Sequence, residues 1–320
     1  MKKFDVPKGF KFLGKNIGIK EKKKDFAIAV SDNICSAAAL FTKNSLCGVS
    51  IPIGKQNVKN GNLQAVVVTS GIANVATGSQ GIQNTKRILN ALSGHLSINS
   101  DDIIPSSTGV IGPQLPIDLI ENSIREISME ELNCDNVENF VEAIMTTDTD
   151  TSTSDTLVAM ASNKYYVDKI IFKQEIHNIL KKLTMMIAKD GEGASKLIEV
   201  NVTGAQTFQQ AKIVAKSIVN SPLVKASVYG MDPNWGRVIM AIGKVTDENI
   251  SIDRVTIGYG NIDIYKHGEV YNKVEDIRKY LGDCEECIIN VDLGLGNEYA
   301  TVWGCDLTEE YVKINGSYTS

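Results

Sequence analysis

Hydrophobic and polar positions fall into two rhythms along this chain, one for strands and one for helices. Residues 7 to 54 hold Gly9, Gly14 and Gly18, the apolar run Asp25-Phe26-Ala27-Ile28-Ala29-Val30, and a small-residue segment Ser36-Ala37-Ala38-Ala39 leading to Phe41-Thr42-Lys43-Asn44, which predicts strand, turn, strand. Leu63 to Val68 is β-branched and reads as a buried strand. Ile88, Leu89 and Leu92 form the apolar face of one helix, and Ile117, Ile120, Ile124 and Ile127, behind Pro116, form that of the next. Ile176, Leu180, Leu183 and Ile187 recur at spacings of four, three and four and predict an amphipathic helix ending at Asp190-Gly191-Glu192-Gly193-Ala194. Leu197 to Val202 alternates as a strand, and Ala211, Val214, Ala215 and Ile218 face one side of a helix. The last part is mostly β, with alternation over Ile252 to Ile257, Asn261 to Tyr265, Ile288 to Leu293 and Ala300 to Trp303.

One stretch fits neither rhythm. Met145 to Thr156 packs six threonines, two serines and three aspartates between the apolar flanks Ala143-Ile144 and Leu157-Val158-Ala159-Met160. Hydroxyls beside carboxylates solvate a linker, cap helices or surround a small polar ligand. A linker is the usual meaning of such composition, but the apolar flanks place this run between packed segments and make it a candidate site.

Two strand ends carry small residues. Thr69-Ser70-Gly71-Ile72-Ala73-Asn74 follows the strand at Leu63, and Ser106-Ser107-Thr108-Gly109-Val110-Ile111-Gly112 follows Ile103-Ile104-Pro105. A strand, a glycine-rich turn and a helix can aim backbone N–H groups at an anion, but no phosphate-loop pattern is present. The second stretch can build an oxyanion hole; an ordinary tight turn is the commoner meaning of such residues. Glu192, between two glycines, can hold a substrate ammonium or be a solvated turn residue.

Composition narrows the classes. With 43% hydrophobic and 22% charged residues in 320, the chain has the balance of a globular protein, and a net charge of -5 provides no footprint for nucleic acid. The cluster Lys20, Lys22, Lys23 and Lys24 reads as a solvated turn. The start, Met-Lys-Lys-Phe-Asp-Val-Pro, meets charges and glycines before any apolar signal core, so a cytoplasmic protein is expected. No apolar run reaches membrane-spanning length. The six cysteines read as reduced thiols, including the Cys284-x-x-Cys287 pair, which has no second pair to complete a zinc site. His95, His177 and His267 lie far apart without metal-ligand spacing.

Five motifs in order carry a resemblance: Ser107-Thr108-Gly109-Val110-Ile111-Gly112 with Leu115-Pro116, Ala143-Ile144-Met145-Thr146-Thr147-Asp148-Thr149, Asp190-Gly191-Glu192-Gly193-Ala194, Asp232-Pro233-Asn234-Trp235-Gly236-Arg237, and Cys305-Asp306-Leu307 with Tyr311-Val312-Lys313-Ile314-Asn315. Together they resemble the ornithine acetyltransferase family from about residue 7 to the C-terminus. The resemblance implies an α/β, αββα-layered fold and an acyltransferase of arginine biosynthesis that moves acetyl from N-acetylornithine to glutamate. It implies no cofactor, with acetyl-CoA an alternative donor in some members. Site residues implied are Thr108 and Gly109 for the oxyanion hole, and Thr146 or Thr147, Glu192, Asn315 and Ser320 for substrate contacts. The implied partners are the small-molecule substrates and further copies of the uncleaved chain, without nucleic acid or membrane.

The chain departs from the family at its chemical centre. Family precursors cut themselves before a threonine in an Asn-Met-Ala-Thr-Met-Leu segment, and the freed threonine is the nucleophile with its own α-amine as base. Here the Met145-Thr146-Thr147-Asp148-Thr149 motif runs directly into Asp150-Thr151-Ser152-Thr153-Ser154-Asp155-Thr156, so an internal deletion lies near residue 150 and the nucleophile is absent. Residues 1–149 match the family's α-chain region and 150–320 its β-chain region. The family's Asn-Ser-Gly-Asn-Ala-Asn is Thr69-Ser70-Gly71-Ile72-Ala73-Asn74 here, and its terminal threonine is Ser320. The resemblance leaves two functions: an acetyltransferase of this family, its gap a gene-model or deletion event at the repeated Asp-Thr codons or its nucleophile replaced by another hydroxyl, or a non-catalytic relative that binds an acylated amino acid or a partner protein.

Overall fold

The computed structural model describes residues 5–144, 152–247 and 249–317. Thr146, Thr147 and Ser320, three of the expected substrate contacts, lie outside these residues. The chain forms two compact units that meet in sequence at Asp168 and Lys169. The expected division at 149/150 follows the family's two chains, and the packing division falls later because a strand beyond the hydroxyl-rich run belongs to the first sheet.

The first unit contains β1 (Phe10–Lys15), β2 (Phe26–Phe41), α1 (Ser50–Asn57), β3 (Asn62–Ala73), α2 (Gly78–Leu96), β4 (Ile103–Ile111), α3 (Ile117–Arg125), α4 (Val137–Ile144) and β5 (Thr156–Ala161). Its sheet runs β1-β2-β3-β4, with β5 on the second half of β2. Only β3 and β4 are parallel. Phe26, Ile28 and Val30 point to one face with Val67 and Ile103, where Ile88, Leu89 and Leu92 of α2 and Ile120 and Ile124 of α3 close the core. Ala27 and Val68 point to the other, where Ala143 and Phe140 of α4 cover them. The strand-turn-strand expected over residues 7–54 is β1, a turn and β2, and the small-residue segment Ser36–Ala39 continues β2 after a register shift between Val30 and Cys35.

The second unit contains α5 (Lys169–Lys189), β6 (Leu197–Ala205), α6 (Phe208–Val219), α7 (Pro222–Tyr229), α8 (Trp235–Gly243), β7 (Thr256–Tyr259), β8 (Ile262–Lys266), β9 (Glu269–Val270), α9 (Val274–Asp283), β10 (Glu286–Asp292), β11 (Glu298–Cys305) and α10 (Glu309–Gly316). The sheet order is β11-β6-β10-β7-β8-β9, with β6 and β10 parallel. Val200, Val202, Ile289 and Val291 meet Ala211, Val214, Ala215 and Ile218 of α6 in a core with no exposed member. The expected strand at Ile252 starts instead at Thr256, because Ile252 stays half-exposed and its carbonyl accepts the Tyr265 hydroxyl at 3.0 Å. The α/β class expected from the resemblance holds in both units.

The helix predicted from Ile176, Leu180, Leu183 and Ile187 is α5, but of that stripe only Ile176 is half-buried. Leu180 and Leu183 are each 38% exposed and Ile187 58%, whereas Met185 and Ala188 are half-buried and Lys181 lies 5.6 Å from the ring centre of Trp303 on β11. At 100° per residue, Lys181, Met185 and Ala188 lie on the opposite side of the helix from Leu183 and Ile187. Lysine stems and methionine supply the apolar contact to the sheet.

Among the described residues, no helix is long and apolar enough to cross a membrane, and no group of three or more His, Cys, Asp or Glu side chains is placed to hold a metal ion.

Candidate active site

In the first unit the site residues lie at the ends of β3 and β4. The small-residue stretches expected to be turns are strand: β3 runs through Thr69–Ala73 and β4 through Ser106–Ile111, paired Thr69 with Ser107, Ser70 with Thr108 and Gly71 with Gly109. Parallel pairing continues there because small side chains let the two backbones stay close. Gly71 and Gly109 both have positive φ, +108° and +125°. A β-carbon on Gly109 would sit 2.3 Å from the Gly71 carbonyl carbon and 2.7 Å from the Ile72 nitrogen, so only glycine fits.

This geometry bears on the expected oxyanion hole. β4 is the edge of its sheet among the described strands. In an extended edge strand successive N–H groups point in opposite directions, one into the ladder and the next outward. The φ of +125° at Gly109, directly after Thr108, is a backbone conformation that favours glycine, in a ladder that keeps its register through Ile111. Gly109→Ala is expected to lower unfolding free energy by about 2 to 3 kcal/mol through backbone strain and overpacking. Gly61→Ala, also at positive φ but with nothing within 4 Å of its β-carbon, is expected to cost about 1 kcal/mol. Equal midpoints in urea for the two variants would show that the Gly71–Gly109 approach is not tight.

A connected set of polar contacts brings the described end of the hydroxyl-rich run to this place. Thr42 donates its hydroxyl to the Ser152 carbonyl at 2.7 Å, and its N–H to the Asp155 carbonyl at 2.8 Å. The Gly48 N–H reaches the Thr153 carbonyl at 2.9 Å, and the next N–H, of Val49, reaches the Asn74 carbonyl at 2.9 Å. Ser50 then shares a hydrogen bond with the Ser107 hydroxyl at 3.3 Å, and that hydroxyl accepts the Asn74 N–H at 3.0 Å. Ser107 is buried and Thr108, its neighbour, is half-buried. The described end of the run, from Ser152 onward, is therefore docked against the first sheet; its earlier residues lie outside the described ones.

Asn74 is the hub of this arrangement. Its amide donates to the Gly81 carbonyl at 3.0 Å and the Thr85 hydroxyl at 2.8 Å, and its oxygen accepts the Thr77 hydroxyl. Ser70 ties β3 to the end of α4 by donating to the Ala143 carbonyl at 2.6 Å. Asn74 ends a stretch the sequence singles out, whereas Ser50 is not legible as a site-building residue, because it opens α1 and no local motif marks it.

In the second unit the backbone beside Glu192 is held by Asp306, from one of the motifs, and by the nearby Thr308. The buried Asp306 carboxylate accepts the Ser195 and Lys196 N–H groups at 2.9 and 3.1 Å and the Ser195 hydroxyl. Thr308 donates its hydroxyl to the Gly193 carbonyl at 2.6 Å and caps α10 by accepting the Tyr311 N–H at 3.1 Å. Gly193, at φ +68°, lies so close to α10 that a β-carbon would come within 2.5 Å of the Tyr311 nitrogen. The half-buried Glu192 is thus fixed beside the helix that carries Asn315, whose amide donates to the Tyr311 carbonyl at 3.0 Å one turn back. Asp306→Ala is expected to cost about 1 to 2 kcal/mol, since two N–H groups lose a charged acceptor. A thermal midpoint unchanged from the parent would show that water replaces the carboxylate without loss.

Comparison with known proteins follows these motifs along the whole chain. The sequence profile described as ArgJ family matches residues 11–150 and 148–320. Arginine biosynthesis bifunctional protein ArgJ 2 of Clostridium acetobutylicum is 41% identical over 383 aligned positions that cover 98% of each chain. Its namesake in Nostoc sp. is 34% identical over 382 positions, again covering 98% of each. The crystal structure of the arginine biosynthesis bifunctional protein argJ of Bacillus halodurans is 42% identical with a TM-score of 0.50, over 54% of this chain and 85% of that one. An alignment of 383 positions leaves at least 63 without a residue of this 320-residue chain, and the two family matches meet at residues 148–150, the place of the expected deletion. Matched from residue 11 to residue 320 in two pieces that overlap at residues 148–150, the chain belongs to the ArgJ family.

Proposed function

We propose that this chain recognises N-acetylornithine and glutamate, the donor and acceptor between which the ornithine acetyltransferase resemblance implies acetyl transfer in arginine biosynthesis. The observation that carries the proposal is the family match along both units, with the motif residues Thr108, Gly109, Glu192 and Asn315 all present. In this reading the Thr108–Gly109 corner supplies donors to the acetyl carbonyl oxygen as it gains negative charge, Glu192 pairs with a substrate ammonium, and Asn315 and Ser320 contribute polar contacts at the C-terminus. No cofactor is needed, acetyl-CoA being an alternative donor. A cytoplasmic setting and assembly of uncleaved chains into a homo-oligomer belong to the same proposal.

A second reading is favoured by the split of the family match at residues 148–150 and by the absence of the family's Asn-Met-Ala-Thr-Met-Leu segment: recognition without turnover, by a relative that binds an acylated amino acid or a partner. Acetyl exchange between labelled N-acetylornithine and glutamate separates the two. Exchange above the uncatalysed rate supports transfer by a replacement hydroxyl. Binding of N-acetylornithine by calorimetry with no exchange supports recognition alone. Absence of both would sink the proposal.

A further inference from the structure

The paired ends of β3 and β4 enclose buried hydroxyls whose protons the site's hydrogen bonds do not use up. Thr69 and Ser107 stand opposite each other in the ladder, and Ser50 of α1 reaches the Ser107 hydroxyl at 3.3 Å. None of the three is more than 4% exposed. A cavity of about 10 Å³ lies among them, walled also by Thr85, Ile88 and Leu115. The Thr69 hydroxyl has no partner among the described residues. Ser50 and Ser107 share one bond, in which only one of them donates, and the Ser107 oxygen accepts the Asn74 N–H at 3.0 Å. Among the described residues, the Thr69 proton and one serine proton are thus left to be placed.

We propose that this cavity binds one water molecule, held by the Thr69, Ser50 and Ser107 hydroxyls as a fixed part of the strand end that carries Thr108 and Gly109. Water matches the donors and acceptors that line the site. The two unplaced protons need acceptors, and a water oxygen offers two lone pairs. Its own protons find lone pairs on the same hydroxyl oxygens. The volume suits a single water and nothing larger. A hydroxyl buried without a partner is costly, and that cost draws water in from bulk. The residue at position 69 explains the space. Where the family has asparagine this chain has Thr69, whose shorter side chain leaves room and presents a hydroxyl. Water takes over bonding that an amide would supply, and through it Ser107, the neighbour of Thr108, is held to β3 and α1. Water binding here is independent of turnover.

The test uses the full chain. In a crystal structure of the parent that orders buried waters, a density peak is expected within hydrogen-bond distance of Thr69 Oγ1 and of Oγ of Ser50 or Ser107. In solution, water-oxygen magnetic relaxation dispersion counts waters held longer than the protein tumbles, without interference from hydroxyl protons. Thr69→Asn is expected to lower that count by one, because the longer side chain displaces the water. Thr69→Val keeps the shape and removes the hydroxyl. It is expected to lower the urea midpoint, since the water loses a partner; in a dry cavity the same change removes an orphaned hydroxyl and raises the midpoint. The crystal measurement needs no variant and stands if Thr69→Asn fails to fold. No density in the cavity, an equal water count in parent and Thr69→Asn, or a midpoint unchanged or raised in Thr69→Val would overturn the proposal.

Discussion

Purified as the full chain, the protein is expected to run as a single species near 34.8 kDa and to gain no acetyl mass when mixed with N-acetylornithine. Self-cleavage requires an activated hydroxyl that attacks the carbonyl before it, and catalysis then needs the α-amine that cleavage frees. The chain has two Ala-Thr bonds. Ala76-Thr77 has one of the expected properties, since Ala76 is held at φ +58°. Its hydroxyl, however, donates to the Asn74 amide oxygen, which is not a base. Ala300-Thr301 lies within β11 against β6, with the Thr301 hydroxyl donating to the Asn201 amide oxygen at 2.7 Å. In the hydroxyl-rich run every threonine keeps an amide nitrogen where the family's nucleophile has an amine. An aspartate with a pKa of about 3.9 is a weak base for a hydroxyl proton. Intact-mass measurement checks both parts: two fragments summing to the full mass, or an adduct of about 42 Da for one acetyl group, would contradict the expectation and locate a replacement nucleophile.

Glu192→Gln is expected to weaken binding of N-acetylornithine by about 2 to 5 kcal/mol, the range for removing one side of a desolvated charge pair. Glutamine keeps the length and one acceptor oxygen of the side chain, so the loss isolates the charge. The backbone that follows Glu192 is held: Thr308 fixes the Gly193 carbonyl, and Asp306 fixes the two N–H groups that follow Ala194. Calorimetry on parent and variant decides. A dissociation constant unchanged by the substitution would remove Glu192 from the site, provided the parent binds. Ligand added to the parent should raise its melting temperature in proportion to occupancy, and raise that of the variant only at higher concentration.

By itself the sequence determined the elements with strong periodicity and the family. Ile120, Ile124 and Ile127 of the α3 region, and Ala211, Val214, Ala215 and Ile218 of α6, are buried as their spacing predicts. Each packs a single apolar stripe, and burial of that stripe dominates the free energy of placing the helix. Five short motifs in order were enough to identify the family, and the junction at residue 150 was visible as two motifs set side by side. Only the tertiary structure decided which side of α5 meets the sheet. Lys181 and Met185 cover apolar surface with flexible stems that a hydrophobicity pattern does not count. It also decided that Thr69–Ala73 and Ser106–Ile111 are strand, because the close pairing of Gly71 with Gly109 depends on a partner about forty residues away, outside any local window.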